Sequence, residues 1–236
     1  MRWFLPLLAV ACAKPAPPTC ANSEEFACFA GAFSGLLGKR LEGVKVCAPE
    51  LDLPCEFSDS DGTWKMPGLP RDTDVLLTAT YDDAVDTVFP QTTSMDWYDW
   101  YKVMVPQSVM NSNAGRLDVE LLPNRGHILF LAWEGLNVDG ENTPNVKGVT
   151  AEIIGSEGRL FYAGGLGLAD ASATETSGSG SGGVINLEPG VYEMRFDGPG
   201  GPCEEQSFHW SILENGSIPV PVRAGHTTAI DVICPP

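Results

Sequence analysis

The sequence predicts an all-β protein, and three observations carry that prediction. The 236 residues include 26 glycines and 19 prolines, and chains this rich in turn residues, with few long periodic stretches, are typically all-β. Apolar and polar residues alternate in Leu41–Cys47, as they do in half-buried strands, and Asp74–Tyr81 is the next clear strand. The continuous apolar run His127–Trp133 predicts a strand that is covered on both faces.

Strand and turn signals follow one another most clearly between Gly43 and Pro70. An alternating stretch ends at Cys47, a short loop leads to Cys55, and the turn Asp59–Gly62 precedes a second two-faced stretch. Side-chain oxygens and a glycine that tolerates positive φ suit such a turn. This order resembles the carboxypeptidase regulatory-like domain, a small β-sandwich of the transthyretin-like type. The resemblance implies a supporting or binding module without catalytic residues, and we assign residues 26–90 to it.

Residues 123–236 repeat this plan loosely. Val146–Ile154 places a glycine before an alternating strand, and Val184–Phe196 enters and leaves a Pro-Gly turn, as the first segment does. This weak internal repeat predicts two tandem transthyretin-like or Ig-like β-sandwiches. Residues 91–122 then form an aromatic connecting region that packs between them, with a short helix around residues 97–114.

The N-terminal segment reads as an export signal. Residues 1–12 combine one positive charge, a short apolar stretch and small residues, which fits a secretory signal peptide. Leu8–Cys12 resembles a bacterial lipoprotein box, which implies lipid attachment at Cys12. The Pro-rich residues 13–25 then form a stiff tether, and Ala13 after the cysteine points to the outer membrane. Ordinary cleavage after Ala13, which would give a secreted protein, is the alternative.

The cysteines support export. Of the seven, Cys12 is assigned to the lipid, which leaves an even number, as expected for a disulfide framework in an exported chain. Locality favours three pairs, which are Cys20–Cys28, Cys47–Cys55 and Cys203–Cys234. Zinc is disfavoured because no C-x-x-C spacing occurs and the chain has only three histidines.

Charge and motifs exclude several function classes. The net charge of −17, with 14 basic residues scattered along the chain, disfavours nucleic acid as a partner. Gly178–Gly183 satisfies G-x-G-x-x-G, but a strand and not a helix is predicted after it, so dinucleotide binding is rejected. Neither a nucleophile elbow nor a zinc-protease motif occurs. We therefore expect no catalytic residues and no enzyme activity.

Two groups of residues remain as candidate binding sites. Asp59 and Asp61 form a weak candidate for Ca²⁺, although a strand-connecting turn is the favoured explanation of these residues, and no other cofactor is predicted. The second group is Trp97, Tyr98, Trp100 and Tyr101, which are flanked by the carboxylates of Asp96 and Asp99. Such aromatics can stack on sugar rings, but they can also pack in a core or an interface.

The sequence thus predicts a non-enzymatic, lipid-anchored protein of the cell envelope, with a structural, adhesive or assembly role. Its partners would be the membrane, through Cys12, and an envelope protein or a surface glycan. The alternative function is carbohydrate binding by a surface lipoprotein through the aromatic residues 97–101.

Overall fold

The computed structural model describes residues 23–135, 144–156, 158–205, 210, 213 and 216–235, with the backbone alone at residues 99, 100, 166 and 205. It confirms the all-β prediction. The predicted signal peptide, Cys12, Cys20 and most of the tether lie outside the described residues. The strands of the first half are β1 (Phe26–Ser34), β2 (Lys45–Cys47), β3 (Glu56–Phe57), β4 (Thr63–Pro70), β5 (Asp74–Thr80), β6 (Thr87–Thr92) and β7 (Trp97–Val103).

The second half begins with a helix and continues in strands. The helix α1 spans Gln107–Arg116, and a 3₁₀ turn covers Gly165–Gly167. The strands are β8 (Gly126–Trp133), β9 (Thr150–Ile154), β10 (Arg159–Ala163), β11 (Ala169–Asp170), β12 (Ser181–Leu187), β13 (Gly190–Gly198), β14 (Gly201–Pro202), β15 (Glu204–Glu205), β16 (Ile218–Val222) and β17 (Thr227–Ile233). Among the described residues, no helix is long and apolar enough to span a membrane.

The first half folds as a two-layer sandwich. One layer is the three-stranded sheet β4-β1-β7, in which β1 is antiparallel to β4 and parallel to β7. The facing layer consists of β3-β2-β5-β6. Alternate residues of both layers meet in the first core, where Phe29, Phe33 and Met66 of one layer pack with Leu77 and Phe89 of the other. Burying these large side chains stabilises the sandwich.

The last strand joins both halves in one sheet. β17 lies between β6 and β8 and runs parallel to both, so that a single path runs β11-β10-β12-β8-β17-β6-β5-β2-β3. Side chains alternate across a strand, and β17 uses both faces. Ile230 and Val232 lie in the core of the second half, whereas Ala229 packs against the first core.

The second half packs on the opposite face of this shared sheet. Strands β9, β13, β14 and β16 form a four-stranded sheet. Its residues Met194, Phe196 and Val220 pack with Ile128 and Phe130 of β8 in the second core. On the other face of β10 and β12, α1 forms a small third cluster with Phe161 and Ile185. β8 is therefore covered on both faces, as its continuous apolar run predicts.

Strand pairing crosses the boundaries drawn from the sequence. The predicted boundary at residue 90 falls inside β6, and residues 97–103 of the connecting region form a strand of the first sandwich. The helix begins at Gln107, because β7 occupies the first part of the range predicted as helical. Long-range pairing with β1 decides the structure of β7, and a single-sequence pattern does not contain that information.

Two predicted disulfides are present in the described residues. Cys47 pairs with Cys55, and Cys203 pairs with Cys234. Cys28 is also disulfide-bonded, and its predicted partner Cys20 lies outside the described residues. The second bridge joins the segment before β15 to the residue after β17, so it anchors the C-terminal end of the shared strand.

The loop that a disulfide closes predicts its contribution to stability. Cys203–Cys234 spans 31 positions and Cys47–Cys55 spans 8. In the chain-entropy relation, loss of the longer bridge costs about 3.7 kcal/mol and loss of the shorter one about 2.5 kcal/mol. Urea unfolding of Cys203→Ala with Cys234→Ala, against Cys47→Ala with Cys55→Ala, measures both. A larger loss for the shorter bridge would contradict the prediction.

His127 at the start of β8 is a buried histidine without a carboxylate partner among the described residues. It is 6% exposed, and its Nδ1 accepts a hydrogen bond from the Asn186 N–H at 3.2 Å. Burial lowers its pKa from 6.5 to about 4. The imidazole is therefore neutral in the folded protein under conditions where the unfolded chain already binds a proton.

This pKa shift predicts a loss of stability in mild acid. Well above pH 6.5 neither state is protonated, and as the pH falls through 6.5 towards 4 the unfolded state gains the proton before the folded state does. We expect the free energy of unfolding to fall by about 2.5 kcal/mol between pH 7 and pH 4.5 on account of His127. His127→Gln keeps an acceptor for Asn186 and should lose this part of the pH dependence in urea titrations. Equal pH dependence in both proteins would contradict the assignment.

Candidate functional site

The Asp59–Gly62 segment forms a hydrogen-bonded turn between β3 and β4. One carboxylate oxygen of Asp59 accepts from the N–H groups of Asp61 at 3.0 Å and Thr63 at 2.9 Å, and the other accepts from the Thr63 hydroxyl at 2.6 Å. Gly62 has a φ of 73°, and a Cβ there would lie 2.7 Å from the Phe33 carbonyl oxygen. Only glycine fits this position.

The electrostatics of the turn are those of a capped carboxylate. Burial raises the pKa of Asp59, but the hydrogen bonds from Thr63 and Asp61 outweigh it, so the pKa is lowered. Within the described part of the chain, no three His, Cys, Asp or Glu side chains are grouped to hold a metal ion. The turn accounts for the Asp59 carboxylate, and Ca²⁺ binding at Asp59 and Asp61 stays a prediction.

The predicted aromatic platform lies on β7, the edge strand of the three-stranded sheet. Phe29 of β1 pairs with Trp97 and Gly31 pairs with Trp100. The register shifts between these two pairs, because β7 contains one extra residue there. Such a bulge re-aims the side chains that follow it. After the bulge, Tyr101 and Val103 are each 40% exposed, whereas Lys102 between them is buried.

The first two aromatics of the platform have structural contacts. Trp97 is partly buried and packs against the first core. The Tyr98 hydroxyl donates to Asp96 at 3.1 Å, and burial, followed by this bond and the carboxylate charge, raises its pKa. Asp96 also accepts from Arg71 at 2.9 Å and from the Cys28 N–H at 3.0 Å. This carboxylate therefore ties β7 to β1 and to the end of β4.

Tyr101 is separated from these two aromatics. The guanidinium of Arg40 lies 4.8 Å from the centre of its ring, a distance at which cation and ring attract. The side chain of Trp100 lies outside the description. Trp97, Tyr98 and Tyr101 thus have three different environments, and of these only Tyr101 combines a large exposed fraction with a flat face held by a cation.

Lys102 points into the protein and pairs with Asp231 of β17. Lys102 is 8% exposed, and its Nζ contacts the Asp231 carboxylate. The other oxygen of Asp231 accepts from the Trp133 indole N–H at 3.1 Å, and the Lys102 Nζ lies 5.9 Å from the centre of the Phe89 ring. The pair therefore connects the edge of the first sandwich to the shared sheet.

Sequence analysis missed this pair, because its partners are 129 positions apart. A signal for one partner exists. Asp231 is the acidic residue inside the otherwise uncharged strand Thr227–Ile233, and a buried charge requires a partner. Nothing in the sequence identifies Lys102 as that partner.

A cavity of about 390 Å³ lies beside the ion pair. Its floor is the face of the shared sheet that the second core does not use, with residues such as Leu129, Leu131 and Ala229. Tyr101 and Val103 of β7 form one wall and Val109 of α1 forms the other. The cavity exists because β7 covers one part of this face and α1 covers another, and neither covers the part between them. We call it the junction cavity.

Removing one partner of the buried pair should strongly destabilise the protein. In Lys102→Met, Asp231 stays 14% exposed at its side chain without its cation, and we expect a loss of about 3 kcal/mol. The double variant Lys102→Met with Asp231→Leu should recover part of that loss, because no buried charge remains unpaired. Chemical unfolding measures both.

The matched control is the exposed pair Arg223–Glu50, with side chains 31% and 54% exposed. Arg223→Met should cost less than about 1 kcal/mol. If Lys102→Met costs no more than this control, the buried pair does not join the two halves as described.

Comparisons with known proteins show distant likenesses only. No protein-family profile and no curated protein match the chain. Among solved structures, it is similar to the Bacillus anthracis TIE protein, with 10% identity, a TM-score of 0.28, and coverage of 89% of this chain and 34% of that one. A streptococcal ancillary pilin has 14% identity and a TM-score of 0.26, with coverage of 89% of this chain and 63% of that one. A shaft pilin of Lactobacillus rhamnosus GG has 12% identity and a TM-score of 0.24, with coverage of 89% of this chain and 98% of that one.

The chain thus spans about a third of the first of these proteins and under two thirds of the second. TM-scores this low assign neither a fold family nor a function. The resemblance of residues 26–90 to the carboxypeptidase regulatory-like domain is matched by no family profile. It rests on the strand-and-turn pattern and stays a prediction.

Proposed function

We propose that this chain is a non-enzymatic, exported module of the cell envelope with a structural or adhesive role. The observation that carries the proposal is the coupling of its two halves. β17 pairs along its length with β8 and at its start with β6, and the Lys102–Asp231 pair fastens β7 to the same strand. The halves share a sheet and an ion pair, so they resist separation, as a structural or adhesive module requires.

The disulfides support export. Cys47–Cys55 and Cys203–Cys234 are formed, and disulfides of this structural kind persist in oxidising compartments outside the cytosol. The anchor that we propose is a lipid on Cys12, at the end of the apolar leader. The outer membrane is its proposed location, and an envelope protein is its proposed partner.

A non-enzymatic role agrees with how the described carboxylates are used. Asp59 caps a turn, Asp96 ties three elements of the first sandwich together, and Asp231 is paired with Lys102 and Trp133. Each of these carboxylates has a structural partner, whereas general acid–base catalysis needs a carboxylate within reach of a substrate.

Expression of the full chain in a diderm bacterium tests the anchor. We expect the protein in the outer-membrane fraction, with an acylated Cys12 as the first residue of the mature chain by mass spectrometry. Cys12→Ala should release it from that fraction. A soluble wild-type chain that starts at Ala13 or Lys14 would contradict lipid anchoring, and labelling by active-site hydrolase probes would contradict the non-enzymatic role.

Carbohydrate binding is the second candidate function, and the exposed ring of Tyr101 favours it. Tyr101 is 40% exposed, and the Arg40 guanidinium lies 4.8 Å from the centre of its ring; we propose that the exposed part of this side chain stacks on a sugar. A glycan array should then give a signal that Tyr101→Ala and the pair Trp97→Ala with Trp100→Ala both reduce. An array without signal, or a signal unchanged in Tyr101→Ala, would contradict it.

A further inference from the structure

The junction cavity has the lining of a small-molecule site. Its volume of about 390 Å³ lies within the range of roughly 300–1,000 Å³ in which proteins bind small ligands. Apolar side chains from β7, α1, β8 and β17 form most of its surface, including Val103, Val109, Leu129 and Leu131. Ligand sites commonly combine such a wall with a few polar groups.

The buried polar side chains of the lining have hydrogen-bond or ion-pair partners, with one exception. Asn113 accepts from the Ala169 N–H at 2.9 Å, and the Thr87 hydroxyl donates to the Val85 carbonyl at 2.9 Å. Ser181 shares a hydrogen bond with Ser179 at 2.9 Å. The Thr227 hydroxyl, on a residue 2% exposed, has no hydrogen-bond partner among the described residues.

An unpaired buried hydroxyl is unfavourable, and native proteins contain few of them. Thr227 lines the junction cavity at the start of β17, beside the point where β17 meets β6. The Thr227 Oγ1 is enclosed in this structure, so its side chain must rotate before a molecule in the cavity that carries one hydrogen-bonding group can satisfy it.

The charges of the lining indicate what kind of molecule fits. Lys102 is paired with Asp231, and Asp231 also accepts from Trp133, so the lining holds a compensated pair. A charged ligand would lose its hydration without gaining a counter-charge, which is costly. The net charge of −17 further disfavours anions. A neutral ligand meets neither obstacle.

We propose that the junction cavity binds a small, neutral, largely apolar molecule whose single hydroxyl or carbonyl group hydrogen-bonds to Thr227. The apolar body of the ligand lies on Leu129, Leu131 and Ala229 between β7 and α1. This site is independent of the proposed lipid anchor, and it shares Tyr101 with the candidate carbohydrate site.

Binding of the neutral fluorescent probe N-phenyl-1-naphthylamine tests the site. We expect its fluorescence to rise on saturable binding to one site, with a Kd of about 1–100 μM for a ligand of this size. Val109→Trp places a ring in the cavity wall and should weaken binding at least about tenfold. Asn111→Trp puts the same ring on the exposed, opposite face of α1 and should change the Kd less than about twofold.

Absence of saturable binding to the wild-type chain would overturn the proposal. Equal binding by Val109→Trp and Asn111→Trp would also overturn it, provided that circular dichroism shows both variants folded. If Val109→Trp does not fold, the preference for 1-naphthol over 1-methylnaphthalene in the wild type and in Thr227→Val decides the question instead.

The role of Thr227 is tested with two isosteric competitors, 1-naphthol and 1-methylnaphthalene, which displace the probe. The wild-type preference for 1-naphthol should fall about fivefold in Thr227→Val, which keeps the shape and removes the hydroxyl. An unchanged preference would overturn the assignment of Thr227. The anion 1-naphthoate should compete weakly, and tighter binding of it than of 1-naphthol would overturn the neutral ligand class.

Discussion

The position of β17 is the constraint on which the rest of the structure depends. This strand lies near the end of the chain, yet it occupies the middle of the shared sheet, between β8 and β6. Its residues Ile230 and Val232 complete the second core, and Ala229 contacts the first. The two halves can therefore reach their final arrangement only after almost the whole sequence is present, because the parallel pairing on both sides of β17 is long-range.

The same strand explains where the candidate sites lie. One face of β17 is buried under the sheet that contains β13 and β16, and this leaves the alternate residues Thr227, Ala229 and Asp231 on the other face. There β7 covers one side and α1 the other, and neither covers the space between them. The ion pair between Asp231 and Lys102 lies where β7 covers this face, and the junction cavity lies between β7 and α1.

The local part of the fold could be predicted from the sequence, and the long-range part could not. Alternation identifies β2, strand-forming residues identify β5, and the continuous apolar run identifies β8. Locality identifies Cys47–Cys55 and Cys203–Cys234, and all of these features depend on residues close in the chain. The bulged edge strand β7, the shared sheet and the Lys102–Asp231 pair depend on contacts between distant segments. Of the predicted platform, the structure keeps only Tyr101 as an exposed aromatic with a described side chain, since burial is decided by packing.

The size of the junction cavity limits what can occupy it. At about 24 cal/mol per Å³, a closed and empty cavity of about 390 Å³ would cost about 9 kcal/mol, which is comparable with the whole stability of a domain. The cavity is open between β7 and α1, so this cost does not apply to it in full. Its apolar side chains are exposed to solvent when no ligand is bound, and covering them with an apolar molecule is favourable. An occupant that also bonds Thr227 removes both the exposed apolar surface and the unsatisfied polar group.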